Sequence, residues 1–208
     1  LIGDESLSNR PMGRIIKPLF ERGVDIKSIN NLAPIIIKKS TLTGFKYKNK
    51  ISSAQVKSAI LFSGLTATEP THYYEPILSR DHTEIMLKNV GVNIKKTNNN
   101  ICLTPPIHAL RPLNVEIPGD PSSAAFFAGA ASILPKSNLI LKKILSNPTR
   151  FEFFKIIESM GVDLNLKNEK NVAGELVNDI SIKHKKLFGI HIKKSKVPSI
   201  IDEIPILT

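Results

Sequence analysis

The 208 residues are 41% hydrophobic and 23% charged, enough for one large packed domain or parts of two. Twenty-nine Lys and Arg against 18 Asp and Glu give a formal charge of +11, which suits either a nucleic-acid surface or sites for anionic metabolites. The Lys doublets (Lys38-Lys39, Lys95-Lys96, Lys142-Lys143, Lys193-Lys194) are scattered and aromatics are only 6%, so no nucleic-acid partner is expected, and no apolar run approaches the roughly 18 residues of a membrane span.

The chain opens on LIGDESLSNR, which carries Gly, Asp and Glu where a signal peptide would be apolar. Residues 10–26 (RPMGRIIKPLFERGVDI) predict a helix ended by Gly23, and 26–39 (IKSINNLAPIIIKK) predict a hairpin. Residues 52–67 (SSAQVKSAILFSGLTA) predict a buried, small-residue-rich helix opening on paired serines. A second amphipathic helix and Gly turn follows at 80–94 (RDHTEIMLKNVGVNI), then a hairpin at 92–104 with Asn98–Asn100 as its turn. Pro105, Pro106, Pro112 and Pro118 cluster ahead of Gly119-Asp120, which places a hinge near 112–120 and divides the chain into 1–118 and 119–208. Beyond it come a second small-residue helix at 121–135 (PSSAAFFAGAASILP) and a third amphipathic helix at 149–164 (TRFEFFKIIESMGVDL). A hairpin with its turn at 168–171 follows, and the chain ends in the start of another helix at 197–208 (VPSIIDEIPILT).

The order repeats. Gly23, Gly91 and Gly161 lie 68 and 70 residues apart, each where a helix C-terminus needs positive φ, and Ser53 and Ser123 lie 70 apart. The pattern predicts an α/β fold of repeated strand–helix units about 70 residues long, with helices in the interior. With no initiator Met and an apolar run at Thr208, both ends read as cut from something longer.

Several residues carry chemistry. Serines at helix starts are ordinary caps, yet symmetric units that aim helix N-termini at a common centre make an anion site. Gln55 sits one turn inside the first such helix. Arg10 and Arg80 stand at helix starts, where a cation opposes the dipole unless an anion is present. Asp202 falls, by the repeat, near the position of Gln55; Glu203 is its rival carboxylate, and consecutive residues cannot both face a site. Cys102 reads as a packing residue in a strand, and the one cysteine leaves no disulfide framework, fitting a reducing cytoplasmic compartment. The five His show no metal-binding spacing, and neither a phosphate loop nor a nucleophile elbow occurs.

LIGDESLSNRPM, SSAQVKSAILFSGL, SRDHTEIML, PGDPSSAAFF, SNPTR with a following MGV, and PSIIDEIP resemble, in order and spacing, the 5-enolpyruvylshikimate-3-phosphate synthase family along essentially the whole chain. SAQVKSA, RDHTE and NPTR are similar to its bacterial class II. The resemblance implies two pseudo-threefold domains of βαβαββ units, with 1–118 in an N-terminal substrate-binding domain and 119–208 in a C-terminal one. It implies transfer of the enolpyruvyl group of phosphoenolpyruvate to the 5-hydroxyl of shikimate 3-phosphate, by addition and elimination, with no cofactor and no metal, in a protein expected to be monomeric at full length. It places shikimate 3-phosphate at Ser53, Ala54, Gln55, Ser79 and Arg80, phosphoenolpyruvate at Arg10, and the base at Asp202. The UDP-N-acetylglucosamine enolpyruvyl transferase and a non-catalytic anion-binding module of the same fold are the alternatives; a loop cysteine would favour the former.

Overall fold

The computed structural model describes residues 1–208, with side chains described at every position except Ser195 and Pro198. The chain divides into two compact units, Leu1–Leu113 and Asn114–Thr208.

The first unit opens with α1 (Glu5–Ser8), α2 (Gly13–Glu21) and a hairpin of β1 (Ile26–Ile29) and β2 (Leu32–Ile37). Asn30 and Asn31 both take positive φ, which a two-residue hairpin loop requires. Then come β3 (Phe45–Lys48), α3 (Ala54–Gly64), β4 (Thr71–Tyr74), α4 (His82–Asn89), β5 (Asn93–Thr97) and β6 (Asn100–Thr104). This βαβαββ series makes one sheet of order β3-β4-β6-β5, with β3 parallel to β4 and the other pairings antiparallel. Val56, Ile60 and Leu61 of α3 pack on Tyr73, Ile101 and Leu103 of the sheet.

The second unit repeats the series with its first strand reduced to a bridge. Gly119 pairs in parallel with Ile144, and α5 (Pro121–Ile133), β7 (Asn138–Leu145), α6 (Glu152–Ser159), β8 (Asp163–Val172) and β9 (Glu175–Lys183) follow. The sheet order β7-β9-β8 is that of β4-β6-β5. Its core joins Ala124, Ala125 and Ala128 of α5 to Phe153, Phe154 and Ile157 of α6 and Ile180 and Ile182 of β9. The alanines let α5 approach the sheet closely.

The three amphipathic helices end alike. Val24, Val92 and Val162 donate to Leu19, Leu87 and Ile157, while Gly23, Gly91 and Gly161 donate to Phe20, Lys88 and Glu158. These are Schellman pairs, and their glycines have φ of 96°, 99° and 105°. The spacing of glycines in the sequence was a spacing of helix ends.

Other expectations shift. α5 is capped by Asp120, whose side chain accepts from the Ser123 amide, with Pro121 at the first turn; Ser122 and Ser123 lie inside the helix. Burial pushes the Asp120 carboxyl up, but donors from Ser123 and the nearby Arg150 outweigh it and hold the group below the ordinary range. That stabilisation is present above the unfolded Asp value and is lost as pH falls through the lower folded value. Asp120→Ala should destabilise the protein by about 1–2 kcal/mol near neutral pH, and thermal unfolding should show the gap to wild type closing in acid. An equal gap at every pH would assign Asp120 no ionised capping role.

The last hairpin turns at Ala173-Gly174, both with positive φ, and not at 168–171. Asn168, also at positive φ, lies where the β8–β9 register shifts: the Asn-rich stretch makes a bulge, not the reversal. At the C-terminus, 197–208 forms no long helix. A 3₁₀ segment, Lys194–Ser199, and a turn precede the four-residue α7 (Ile204–Leu207), so Asp202 is a turn residue, whereas Gln55 is the second residue of α3. Cys102, in β6, is paired by register with His72, its Sγ 4.0 Å from Nε2. Among the described residues no helix is long and apolar enough to cross a membrane.

Candidate functional site: a basic cleft at the start of helix α3

Asn49–Ser53 leads from β3 into α3, and Ser53 caps the helix, accepting from the Val56 amide at 3.4 Å. Ala54 and Gln55 form the first turn, where backbone N–H groups and the positive dipole end face outward. A cleft of about 620 Å³ opens here, lined by Ser52 and Ser53 and by Arg14, Lys17, Lys48 and Lys50. Glu21 is the one acidic residue of the lining, so the cleft favours an anion. Arg14 Nη1 donates to Gln55 Oε1 at 3.3 Å and carries the α2 positive charge to the α3 N-terminus. Tyr73 supports the floor: it accepts from Asn49 at 2.9 Å, and burial pushes its phenol well above the ordinary range.

The 75–80 loop after β4 is tied to the same helix start. Ser52 Oγ accepts from the Ile77 amide at 3.0 Å and donates back to the Ile77 carbonyl. Ser79 follows, then Arg80, half-buried just before the Asp81 that precedes α4. The loop that carries Ser79 and Arg80 is therefore tied to α3 through Ser52 and Lys57; of the five residues expected at the site, Ser53 lines the cleft, whereas Ala54, Gln55, Ser79 and Arg80 are not among its lining residues.

Arg10 does not start a helix. It lies exposed in the turn between α1 and α2, its amide donating to Leu7, and the residue preceding α2 is Met12. Pro11 disfavours helical geometry at the residue before it, which delays the helix. Arg14, a turn further on, is the arginine that lines the cleft, and the sequence reading missed it.

Asp202 belongs to the second unit and is exposed. Its neighbour Glu203 is buried and accepts from Ser122 Oγ, which accepts from Arg150 at 2.8 Å; Arg150 also meets Asp120 at 2.7 Å. Glu203 is thus fixed inside a network at the start of α5, and the two consecutive carboxylates do divide between interior and surface. Among the described residues no group of three His, Cys, Asp or Glu is placed to hold a metal.

A repeated βαβαββ architecture with an anion-favouring cleft at a helix N-terminus defines the class as an α/β protein of paired strand–helix units. The sequence model of the family described as EPSP synthase (3-phosphoshikimate 1-carboxyvinyltransferase) matches residues 1–208, and the chain belongs to that family. It is 47% identical to the 3-phosphoshikimate 1-carboxyvinyltransferase of Endomicrobium trichonymphae over 99% of its length and 48% of that protein. It is 45% identical to that of Sulfurihydrogenibium sp. (strain YO3AOP1), over 100% and 49%. The chain spans about half the length of these relatives. The solved EPSP synthase of Acinetobacter baumannii superposes with a TM-score of 0.87 at 41% identity, over 98% of this chain and 46% of that one. The enolpyruvyl transferase NikO of Streptomyces tendae, at 16% identity and a TM-score of 0.63 over 86% of this chain and 43% of that one, shares the fold.

Proposed function

We propose that the chain supplies the shikimate 3-phosphate subsite of an enzyme that transfers the enolpyruvyl group of phosphoenolpyruvate to the substrate's 5-hydroxyl, releasing phosphate. In this reading the hydroxyl oxygen adds to the central carbon of phosphoenolpyruvate while its methylene carbon gains a proton. Loss of that proton and of phosphate then restores the double bond. The observation that carries the reading is the basic cleft at the α3 N-terminus, in a chain matched to the family along its whole length. Ser53, Ala54 and Gln55 would hold the phosphorylated ring with Ser79 and Arg80, Arg10 would hold phosphoenolpyruvate, and Asp202 would take the hydroxyl proton. Residues 1–118 would serve in the N-terminal domain and 119–208 in the C-terminal one, joined by a hinge at 112–120. The protein would act as a cytoplasmic monomer on these two small molecules without a cofactor.

The test is binding and turnover in the complete protein. Gln55→Ala and Ser53→Ala should each weaken shikimate 3-phosphate binding by roughly 1.5–3 kcal/mol, the scale of a hydrogen bond to a charged group. Ser53→Ala should also lower thermal stability through the lost cap. Arg80→Ala should act on the same ligand and Arg10→Ala on phosphoenolpyruvate. Unchanged affinity in the Ser53 and Gln55 variants, measured by titration calorimetry, would leave Ser53 a cap and Gln55 a surface side chain.

A further inference from the structure

Behind the cleft lies a charged group that the functional reading does not use. Lys57, one turn beyond Ser53 on α3, is fully buried, as is Glu75 just after β4. Lys57 Nζ meets Glu75 Oε1 at 3.1 Å and Glu84 Oε1 at 2.9 Å, and donates to the Ser79 carbonyl at 3.1 Å. Glu75 spends its remaining capacity on the same serine: Oε1 accepts from the Ser79 amide at 2.9 Å, and Oε2 accepts from the Ser79 hydroxyl at 2.7 Å. The amide, hydroxyl and carbonyl of Ser79 are thus all bonded to one buried pair.

A group meant only to join α3 to α4 would have no need to address the polar atoms of a single loop residue. A link between those helices exists apart from it, in the Ser58–Thr83 hydroxyl contact at 2.6 Å. Glu84, whose carboxyl burial pushes up, is a second acid beside Lys57 and reaches it from α4. Lys57 is rooted on the helix that carries Ser53 and Gln55, so its grip on Ser79 sets the distance between the two halves of the proposed subsite.

We propose that Glu75, held by Lys57, is a positioning residue for the shikimate 3-phosphate subsite, fixing the Ser79–Arg80 segment against the N-terminus of α3. The assignment rests on the function proposed above. It makes Glu75 specific for one substrate, although its carboxylate touches neither.

The experiment is steady-state kinetics of the complete protein with both substrates, alongside thermal unfolding. Glu75→Gln should raise KM for shikimate 3-phosphate by about tenfold or more, as expected for losing charge-assisted bonds that orient the site, and leave KM for phosphoenolpyruvate within about twofold. Glu75→Asp keeps the charge opposite Lys57 while drawing it back from Ser79, and should raise the same KM to a smaller extent. Ser58→Ala, which loosens the helix pair without touching Ser79, should lower the melting temperature and leave both KM values alone. Glu75 variants that lower the melting temperature with both KM values unchanged, or raised equally, would overturn the assignment. A wild-type protein that neither binds nor turns over shikimate 3-phosphate would instead overturn the functional reading, and this assignment with it.

Discussion

Lys57→Met should destabilise the protein by about 3–5 kcal/mol, the cost of breaking a buried ion pair from one side. The loss should appear as a fall in melting temperature of roughly 10 °C. Methionine fills most of the space, so the effect is electrostatic. Glu75 and Glu84 would be left facing each other inside the fold without the ammonium that lies 3.1 and 2.9 Å from them. Burial already pushes the Glu84 carboxyl up against the opposing pull of Lys57, and without that cation Glu84 should favour protonation more strongly. For an acid whose folded value is raised, the folded state binds more protons through that window, and stability falls as pH rises. The deficit of Lys57→Met should therefore be largest near neutral pH and shrink as the pH falls into the acid range. Adding Glu75→Gln and Glu84→Gln to it should restore much of the stability, since a neutral triad leaves no buried charge to solvate. A deficit that ignores pH, and that the triple variant does not relieve, would mean that the lost packing of the lysine stem is the cause.

What the sequence revealed and concealed here follows the range of the interactions. The Gly23, Gly91 and Gly161 turns were legible because a Schellman end is written within six residues, and the hairpin within 26–39 because a reversal of the chain is local too. The cap of α5 was misread because two serines drew more notice than Asp120-Pro121, the stronger start signal just upstream. The last hairpin was misplaced because Asn tolerates positive φ in a bulge as readily as in a turn, and Asn168 uses it for the bulge. The triad was invisible for a different reason. Lys57, Glu75 and Glu84 come from a helix, a loop and another helix, and only the β3-α3-β4-α4 crossover brings them together. One signal was present: a lysine among Val56, Ile60 and Leu61 on a helix otherwise fit for burial asks for a buried partner. Arg14 was passed over because Arg10 sat beside a proline and looked like the helix start.

Asp202→Ala in the complete protein should lower kcat by roughly 10²-fold or more, the usual scale of general acid–base help, with little change in melting temperature. The IIDEIP turn divides its two acids between interior and surface. Glu203 is buried, fixed by Ser122 in the network that runs to Arg150 and Asp120. A carboxylate held inside by a hydroxyl that is itself bonded to an arginine is poorly placed to meet a substrate, and its loss should be felt in folding. Asp202 is exposed in the same turn, and the residue that stands at the N-cap of α7 is Glu203. An ionised carboxylate is acceptor-only, which suits a group that receives a hydroxyl proton as that oxygen attacks. Glu203→Gln should show the reverse profile, a lower melting temperature with kcat changed far less. Asp202→Asn should follow Asp202→Ala in rate, because the amide keeps the shape and a hydrogen bond but cannot take the proton. If Asp202→Asn retained near-normal kcat, Asp202 would be at most an orienting contact and the base would have to be another group. If Asp202→Ala lowered the melting temperature and left kcat alone, its role would be structural.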